Sequence, residues 1–243
     1  MSLSHNFQKI QEKKGIEYYR ISGNNFHIAK NNLHSPIIVT ASDANQARYV
    51  NTLCSSLTQQ RLKFIVYDLG GLGYGVPFNA TPSKTPFRNL PAKPDLILHA
   101  AQKLPNNRLL IWMDADTVPI GPLTTLGGPF DICLSLRRQK SHLKTESWIN
   151  SGVLSLYNNK DTRRFLKLWG AISKILGGDQ YALNEIFFNT KNKKNWPQWM
   201  YTLKVAGAPA EKINNFYFDS TSRHAIILHF KANVRSYHPA HLE

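Results

Sequence analysis

The sequence predicts an α/β domain with a mostly parallel central sheet flanked by helices, and three observations point there. Short β-branched or apolar runs, IIVTAS at 37–42, FIVY at 64–67 and LLIWM at 109–113, alternate with longer stretches whose apolar residues recur at helical spacing. The connection between the first two runs is too long for a hairpin, so they pair in parallel through a right-handed crossover. Polar groups cluster just after the runs: Ser42-Asp43, Asp68, Asp114 with Asp116, and His229 with Lys231. In open α/β sheets ligands collect at the carboxyl ends of the strands.

In chain order, residues 1–34 read as an N-terminal extension or a small hairpin through IEYYRI, and 35–243 as a single domain. After IIVTAS, Ala44, Ala47, Val50, Cys54 and Leu57 share a helical face with Asp43 as its N-cap. The strand FIVY leads to Asp68 and a glycine-rich GGLGYG loop. PDLILHAAQKL then reads as a helix capped near Asp95, followed by the strand RLLIWM. FDICLSL and SGVLSLYN supply two more strands. A helix from about Lys160 to Leu176 presents Phe165, Leu168, Trp169, Ile172 and Leu176 on one face and stops at Gly177-Gly178. Asp179 opens a shorter helix through Phe188. The stretch from Lys191 to Asn215 reads as irregular, and AIILHF at 225–230 as a late strand.

Composition narrows the class. A hydrophobic fraction of 42% suits a globular chain of 243 residues, and no run approaches the roughly 18 apolar residues of a membrane span. The polar N-terminus lacks a signal peptide's apolar segment, so the expected location is the cytoplasm. Cys54 and Cys133 sit in apolar patterns and read as reduced core residues. The net charge of +15 favours an anionic partner, whether a nucleotide diphosphate, an anionic membrane touched peripherally or a nucleic acid. The basic clusters Arg137-Arg138-Gln139-Lys140 and Lys191-Asn192-Lys193-Lys194 read as solvated faces.

Asp114 and Asp116 are the most informative pair. Two carboxylates leaving a buried strand with only Ala115 between them repel when ionised, and a divalent cation removes that conflict. Carboxylate oxygens suit Mg²⁺ or Mn²⁺, and an added imidazole such as His229 tilts the choice to Mn²⁺. Such a metal would neutralise a diphosphate. The structural alternative is that Asp114 caps a turn and Asp116 is solvated.

The ordered set TASD, VYDLG, AKPDLILHA, LLIWMDADTVPIGPL, FDICLSLR, WINSGVLSLYNN, GDQYALNEIF and ILHFK resembles metal-dependent glycosyltransferases of the GT-A fold, especially the galactosyltransferase-like and glycogenin-like group that uses nucleotide sugars. The resemblance runs from about Pro36 to Lys231. It implies that Asp114 and Asp116 hold the cation bridging the donor phosphates, with His229 as a further ligand. It places Thr40, Ala41 and Asp43 against the nucleoside. Lys93 matches the lysine before the donor-side helix, where a cation meets phosphate or the metal carboxylates; a solvated lysine is the plain alternative. Asn150, Ser151 and Gly152 match the segment near sugar and acceptor. Asp179 and Gln180 match the acidic position near the reacting carbon, with Asp179 as general base in an inverting reaction or as a sugar-orienting group in a retaining one. A carboxylate at a helix start is also an ordinary N-cap.

The chain departs from the glycogenin-like pattern after the late histidine, where HFKANVRSYHP replaces a glycine and a Lys-Pro-Trp segment. Lys231 would then stabilise phosphate. The reading that follows is transfer of a sugar from a nucleotide diphosphate sugar, by preference a uridine one, to a hydroxyl of a carbohydrate or lipid-linked acceptor. The rivals are sugar transfer to a modified base of DNA, a basic nucleotide- or nucleic-acid-binding module without turnover, and metal-dependent phosphoryl or nucleotidyl transfer.

Overall fold

The protein's computed structural model describes the backbone of residues 7–13, 16–21 and 24–29 and then residues 35–69, 93–137, 149–188, 198–216, 218, 220–230 and 238–239. The strands are β1 (Phe7–Lys13), β2 (Ile16–Ile21), β3 (Asn24–Ala29), β4 (Ile37–Ser42), β5 (Lys63–Asp68), β6 (Leu109–Met113), β7 (Thr117–Pro119), β8 (Ile132–Leu136), β9 (Ile149–Tyr157), β10 (Val205–Pro209) and β11 (Ile227–His229). The four longer helices are α1 (Ala47–Gln59), α2 (Lys93–Lys103), α3 (Lys160–Leu176) and α4 (Asp179–Phe188). Nine strands form one sheet in the order β1-β2-β3-β5-β4-β6-β9-β8-β10, and β11 pairs with β7 in a second, two-stranded sheet.

β5, β4 and β6 run parallel, β9 runs against both β6 and β8, and β10 is parallel to β8. The central sheet is thus mostly parallel, with β9 as the reversed strand. The N-terminal strands form an antiparallel meander that joins it through β3 and β5.

The continuous apolar runs of β4 and β6 follow from burial on both faces. Ile37, Val39, Leu110 and Trp112 face α2, α3 and α4, where they meet Leu96, Ile97, Phe165, Trp169 and Leu183. Ile38, Ile111 and Met113 point the other way, toward Leu53, Leu57, Ile213 and Ile227. Cys54 and Cys133 are free and buried, as their apolar surroundings suggest. α3 begins where the sequence places it. The Asn159 side chain accepts from the Asp161 and Thr162 amides, and the Thr162 hydroxyl accepts from the Asn159 amide. It ends at Gly177, whose φ of 69° is the left-handed conformation that glycine adopts without a Cβ penalty.

Four expectations need correction. The 191–215 stretch is not irregular throughout: a short helix, Gln198–Thr202, precedes β10, and a further turn, Ala210–Ile213, follows it. β10 lacks the apolar alternation of a strand because it is an exposed edge; Val205 is 40% accessible and Gly207 gives room to Leu136. The late strand is not part of the main sheet but pairs with β7. α2 starts at Lys93, two residues before Asp95, whose carboxylate pairs with Lys174 of α3 at 2.9 Å. Leu176, in the last turn of α3, is exposed. The GGLGYG loop, Arg138 to Lys140 and Lys191 to Lys194 lie outside the described residues.

The end of β9 is tied to the end of α2 by a single buried side chain. Asn158 Nδ2 donates to the carbonyls of Ala101, Leu104 and Pro105 at 2.8–2.9 Å. Asn158→Ala leaves these carbonyls without their partner, so unfolding in urea should show a loss of about 1–3 kcal/mol; an unchanged midpoint would mean that water takes over the three bonds.

Candidate active site

Three polypeptide segments meet at the carboxyl end of β6. Asp114 leaves the strand, and its carbonyl accepts from the Thr117 amide at 3.1 Å and the Thr117 hydroxyl at 2.7 Å, which closes the tight turn through Ala115 and Asp116. The chain then enters β7. β11 pairs against it with His229 opposite Thr117, and the Phe230 amide donates to the Asp116 carbonyl at 2.9 Å. A histidine more than a hundred residues away is thereby fixed beside the Asp-x-Asp turn. Asp114, Asp116 and His229 each offer a ligand atom, all within 4.8 Å of one another.

The orientation of the His229 ring can be derived from the backbone outward. The Gly152 amide can only donate, and it bonds Asn150 Oδ1 at 2.8 Å. That oxygen also accepts from Asn214 Nδ2 at 3.0 Å, so Asn214 turns its oxygen to His229 Nδ1 at 2.8 Å. Nδ1 therefore carries the proton, and Nε2 is left to face Asp116 Oδ1 at 3.1 Å. A nitrogen lone pair and a carboxylate held this close require a proton or a cation between them. His229 and Asp116 are 1% and 4% exposed, so water screens the contact little. An imidazole whose far nitrogen donates to an amide oxygen is the usual arrangement of a metal-binding histidine, and the hard, mixed O/N donor set fits Mn²⁺ or Mg²⁺.

Gly152 is required here by space. A Cβ built on it would lie 2.7 Å from His229 Nδ1 and 2.9 Å from Asn150 Oδ1, closer than real side chains approach.

Beside this triad lies an ion cluster centred on Lys93, the first residue of α2. Its ammonium contacts Asp114 Oδ1 and Asp179 Oδ2, both at 2.9 Å, and donates to the Ser151 carbonyl at 2.9 Å and the Ser151 hydroxyl at 3.3 Å. Trp112 completes the cage, with its ring 5.3 Å below the ammonium and its Nε1 donating to Asp114 Oδ1 at 2.8 Å. Burial disfavours the Lys93 ammonium, but the two carboxylates outweigh it and hold its pKa above the usual lysine value. Burial likewise opposes the Asp179 carboxylate; the charge of Lys93 and its hydrogen bond, with those of the Gln180 amide and Ser151, bring its pKa below the ordinary range. Lys93 is therefore not the solvated lysine of the plain alternative. Asp114 Oδ1 is committed to Lys93 and Trp112, which leaves Oδ2 for a cation.

The remaining expected residues are distributed around this centre. Thr40 is fully buried near the end of β4, its hydroxyl without a hydrogen-bond partner among the described residues, and Ala41 is half-buried beside it. Asp43 caps a single 3-10 turn, Ala44–Gln46, by accepting from the Asn45 and Gln46 amides, and α1 follows that turn. Gln180 Oε1 accepts from Arg137 at 3.4 Å. Lys231 lies outside the described residues.

Sequence reasoning missed Asn214, Trp112 and Arg137. Asn214 lies in a segment without periodicity, and Trp112 reads as core because its ring is core while its N–H is not. Arg137 is not a solvated cation: it is half-buried, with its guanidinium 5.3 Å above the Phe216 ring.

No protein-family model and no curated protein matches this sequence. Among solved structures, it is similar to a glycosyltransferase involved in the glycosylation of the major capsid of PBCV-1, with 15% identity over 86% of this chain and 98% of that one and a TM-score of 0.56. It is also similar to apo GlyE of Streptococcus pneumoniae TIGR4, with 15% identity over 83% of this chain and 55% of that one and a TM-score of 0.51. WbbM, a bifunctional glycosyltransferase, gives 11% identity over 89% of this chain and 50% of that one, also at 0.51. The chain spans about half the length of the last two. At these identities the likeness is one of fold, and the fold is that of the GT-A glycosyltransferases.

Gly152→Ala should push the His229 ring away from Asp116 while leaving the sheet folded. Mn²⁺ titration followed by electron paramagnetic resonance should then show affinity at least tenfold weaker than wild type; equal affinity would remove His229 from the ligand set.

Lys93→Met strands two carboxylates, both 30% exposed or less, and should cost about 2–3 kcal/mol at pH 7, somewhat less than for a fully buried pair. Asp179, with its lowered folded pKa, contributes stability above the unfolded carboxylate value of about 3.9, and that stability is lost as pH falls through the folded value. Lys93, with its raised folded pKa, contributes below the unfolded lysine value of about 10.4, and that is lost as pH rises past the folded one. The gap between wild type and variant in urea unfolding should be constant from about pH 5 to 9 and narrow below about pH 4.

Proposed function

We propose that the protein is a metal-dependent glycosyltransferase that moves a sugar from a nucleotide diphosphate sugar, a uridine one by preference, to a hydroxyl of a carbohydrate or lipid-linked acceptor. The observation that carries this reading is the meeting of Asp114, Asp116 and His229 within 4.8 Å at the strand end, with the Lys93–Asp179 pair beside them. Mn²⁺ or Mg²⁺ held there would neutralise the donor diphosphate and stabilise it as the leaving group. Asp114 Oδ2, Asp116 and His229 Nε2 are the groups that would hold it.

The chain's own residues account for the rest. Asn150 and Asn214 keep the His229 lone pair turned toward Asp116. Thr40, whose buried hydroxyl has no hydrogen-bond partner among the described residues, and Ala41 stand at the end of β4, where the nucleoside would lie; Asp43 shapes that end through the turn it caps. Lys93 compensates the negative charge of Asp114 and places Asp179. Ser151 is oriented by Lys93 and stands at the start of β9, near the sugar.

Asp179 is a poor proton acceptor, because its bonds to Lys93, Ser151 and the Gln180 amide favour the ionised form. Its carboxylate is better suited to orienting a sugar hydroxyl or stabilising positive charge that develops at the anomeric carbon. Gln180, held by Arg137, offers a neutral amide on the same side. The chain's excess of cations would raise the local concentration of an anionic donor and, at an anionic membrane, of a lipid-linked acceptor.

Calorimetric titration with uridine diphosphate tests the reading. Binding should appear with Mn²⁺ present, vanish in excess chelator, and vanish in Asp116→Ala while that variant keeps its circular dichroism spectrum. Absence of binding to any nucleoside diphosphate would reduce the resemblance to fold alone.

A further inference from the structure

Three of the large apolar side chains left in water among the described residues sit at one corner, between α3 and α4. Ile175 is 80% and Tyr181 57% accessible, and Leu176 between them is exposed as well. Single apolar side chains on a surface are ordinary, but several around one turn form a patch, and such patches mark contact surfaces. The turn projects: a Cβ on Gly177 would meet nothing within 4 Å, while one on Gly178 would meet the Tyr181 ring at 2.9 Å. That ring therefore lies back over the turn that Leu176 enters. The corner is also held in shape. The Gly178 amide donates to the Ser173 carbonyl and the Ala182 amide to the Gly178 carbonyl, both at 3.1 Å, and Trp169 Nε1 donates to the Asp179 carbonyl at 2.8 Å. A tip fixed in this way presents its apolar side chains with little further ordering to be done on contact.

Charge indicates what it meets. The exposed stripe of α3 that leads to the tip carries Lys160, Arg164, Lys167, Ala171 and Lys174 at spacings of three and four, with Ile175 next to the last. Asp161 is the helix's one carboxylate and pairs with Arg164 at 3.1 Å, and Lys174 pairs with Asp95 at 2.9 Å. Lys160 and Lys167 make no ion pair among the described residues. A row of cations ending in aliphatic and aromatic side chains suits an anionic bilayer, with the cations at the headgroups and the apolar tip in the acyl boundary. Three side chains fall well short of the roughly 800 Å² per partner that a stable protein interface buries. A nucleic acid would use the cations but has no place for Ile175 and Leu176.

We propose that the α3–α4 corner docks the protein on an anionic membrane, with Ile175, Leu176 and Tyr181 entering the interface and the cations of α3 lying along the headgroups. Asp179 follows the tip directly, its carboxylate turned inward to Lys93, so the lipid surface would border the candidate active site. That use, bringing a lipid-linked acceptor to the site, rests on the glycosyltransferase reading; the surface itself stands on exposure and charge.

The test is flotation of the full chain, in excess chelator and without nucleotide, with vesicles of equal parts phosphatidylcholine and phosphatidylglycerol. The protein should rise with these vesicles and stay behind with pure phosphatidylcholine. Ile175→Ser, at a largely solvated position, should weaken partitioning about fivefold, and Lys167→Gln by a similar factor, with circular dichroism spectra like that of wild type. Partitioning unmoved by Ile175→Ser would overturn the apolar tip. So would absence from anionic vesicles, including the case of a dimer in sedimentation that Ile175→Ser dissolves, which would make a second copy the occupant, or of duplex DNA bound in place of the vesicles. With neither metal nor nucleotide present, failure here leaves uridine diphosphate binding untouched, and failure of that binding leaves the vesicle result standing.

Discussion

The Lys93 ammonium is the contact on which the candidate site depends. Asp114 comes from the end of β6, Asp179 from the start of α4 and Ser151 from β9, and each lies within 3.3 Å of that one nitrogen. Without it, two half-buried carboxylates would lose their shared counter-charge, at a cost of about 2–3 kcal/mol. With it, the start of α2 becomes a fixed point joining the Asp-x-Asp turn to α4. The Trp112 ring beneath the ammonium supplies an additional favourable contact and keeps water from one side.

A second constraint is steric. The His229 ring occupies space that any side chain at position 152 would fill, so the strand β9 must carry glycine where it passes the ring. The same residue's amide starts the hydrogen-bond relay through Asn150 and Asn214 that sets the ring's tautomer. One residue therefore provides both the room and the direction. This explains why a reversed strand in a mostly parallel sheet sits in the middle of the site: β9 runs past the carboxyl ends of β6 and β8 and brings Asn150, Ser151 and Gly152 to them.

The two ends of the sheet are chemically unlike. The carboxyl end gathers carboxylates around one lysine and one histidine, a donor set that suits a cation. The amino end carries an open cavity lined, among the described residues, by Pro36, Asn106, Arg108, Leu109 and Tyr157. Both follow from strand polarity, because residues just before and just after the parallel strands share an edge whatever their separation in the chain.

The sequence by itself determined the strands whose burial on both faces gives unbroken apolar runs, β4, β5 and β6, and the helices with a clear apolar stripe and stop, notably α3 with Asn159 and Gly177. It also singled out Asp114 and Asp116, with His229 at a later strand end, because charged groups just after buried segments are costly without a purpose; Lys93 and Asp179 came from the resemblance to the GT-A glycosyltransferases. Tertiary structure alone decided what these groups do to one another. The pairing of β11 with β7 rather than with the main sheet, the edge strand β10 with its exposed Val205, and the reversal of β9 all depend on contacts between distant segments. Local periodicity carries no record of such contacts. The same holds for Asn214, Trp112 and Arg137. Each is an ordinary residue in its own segment and becomes part of the site only through a partner far along the chain, because hydrogen bonds and steric exclusion are set by distance in space and hydrophobic patterning by distance in sequence.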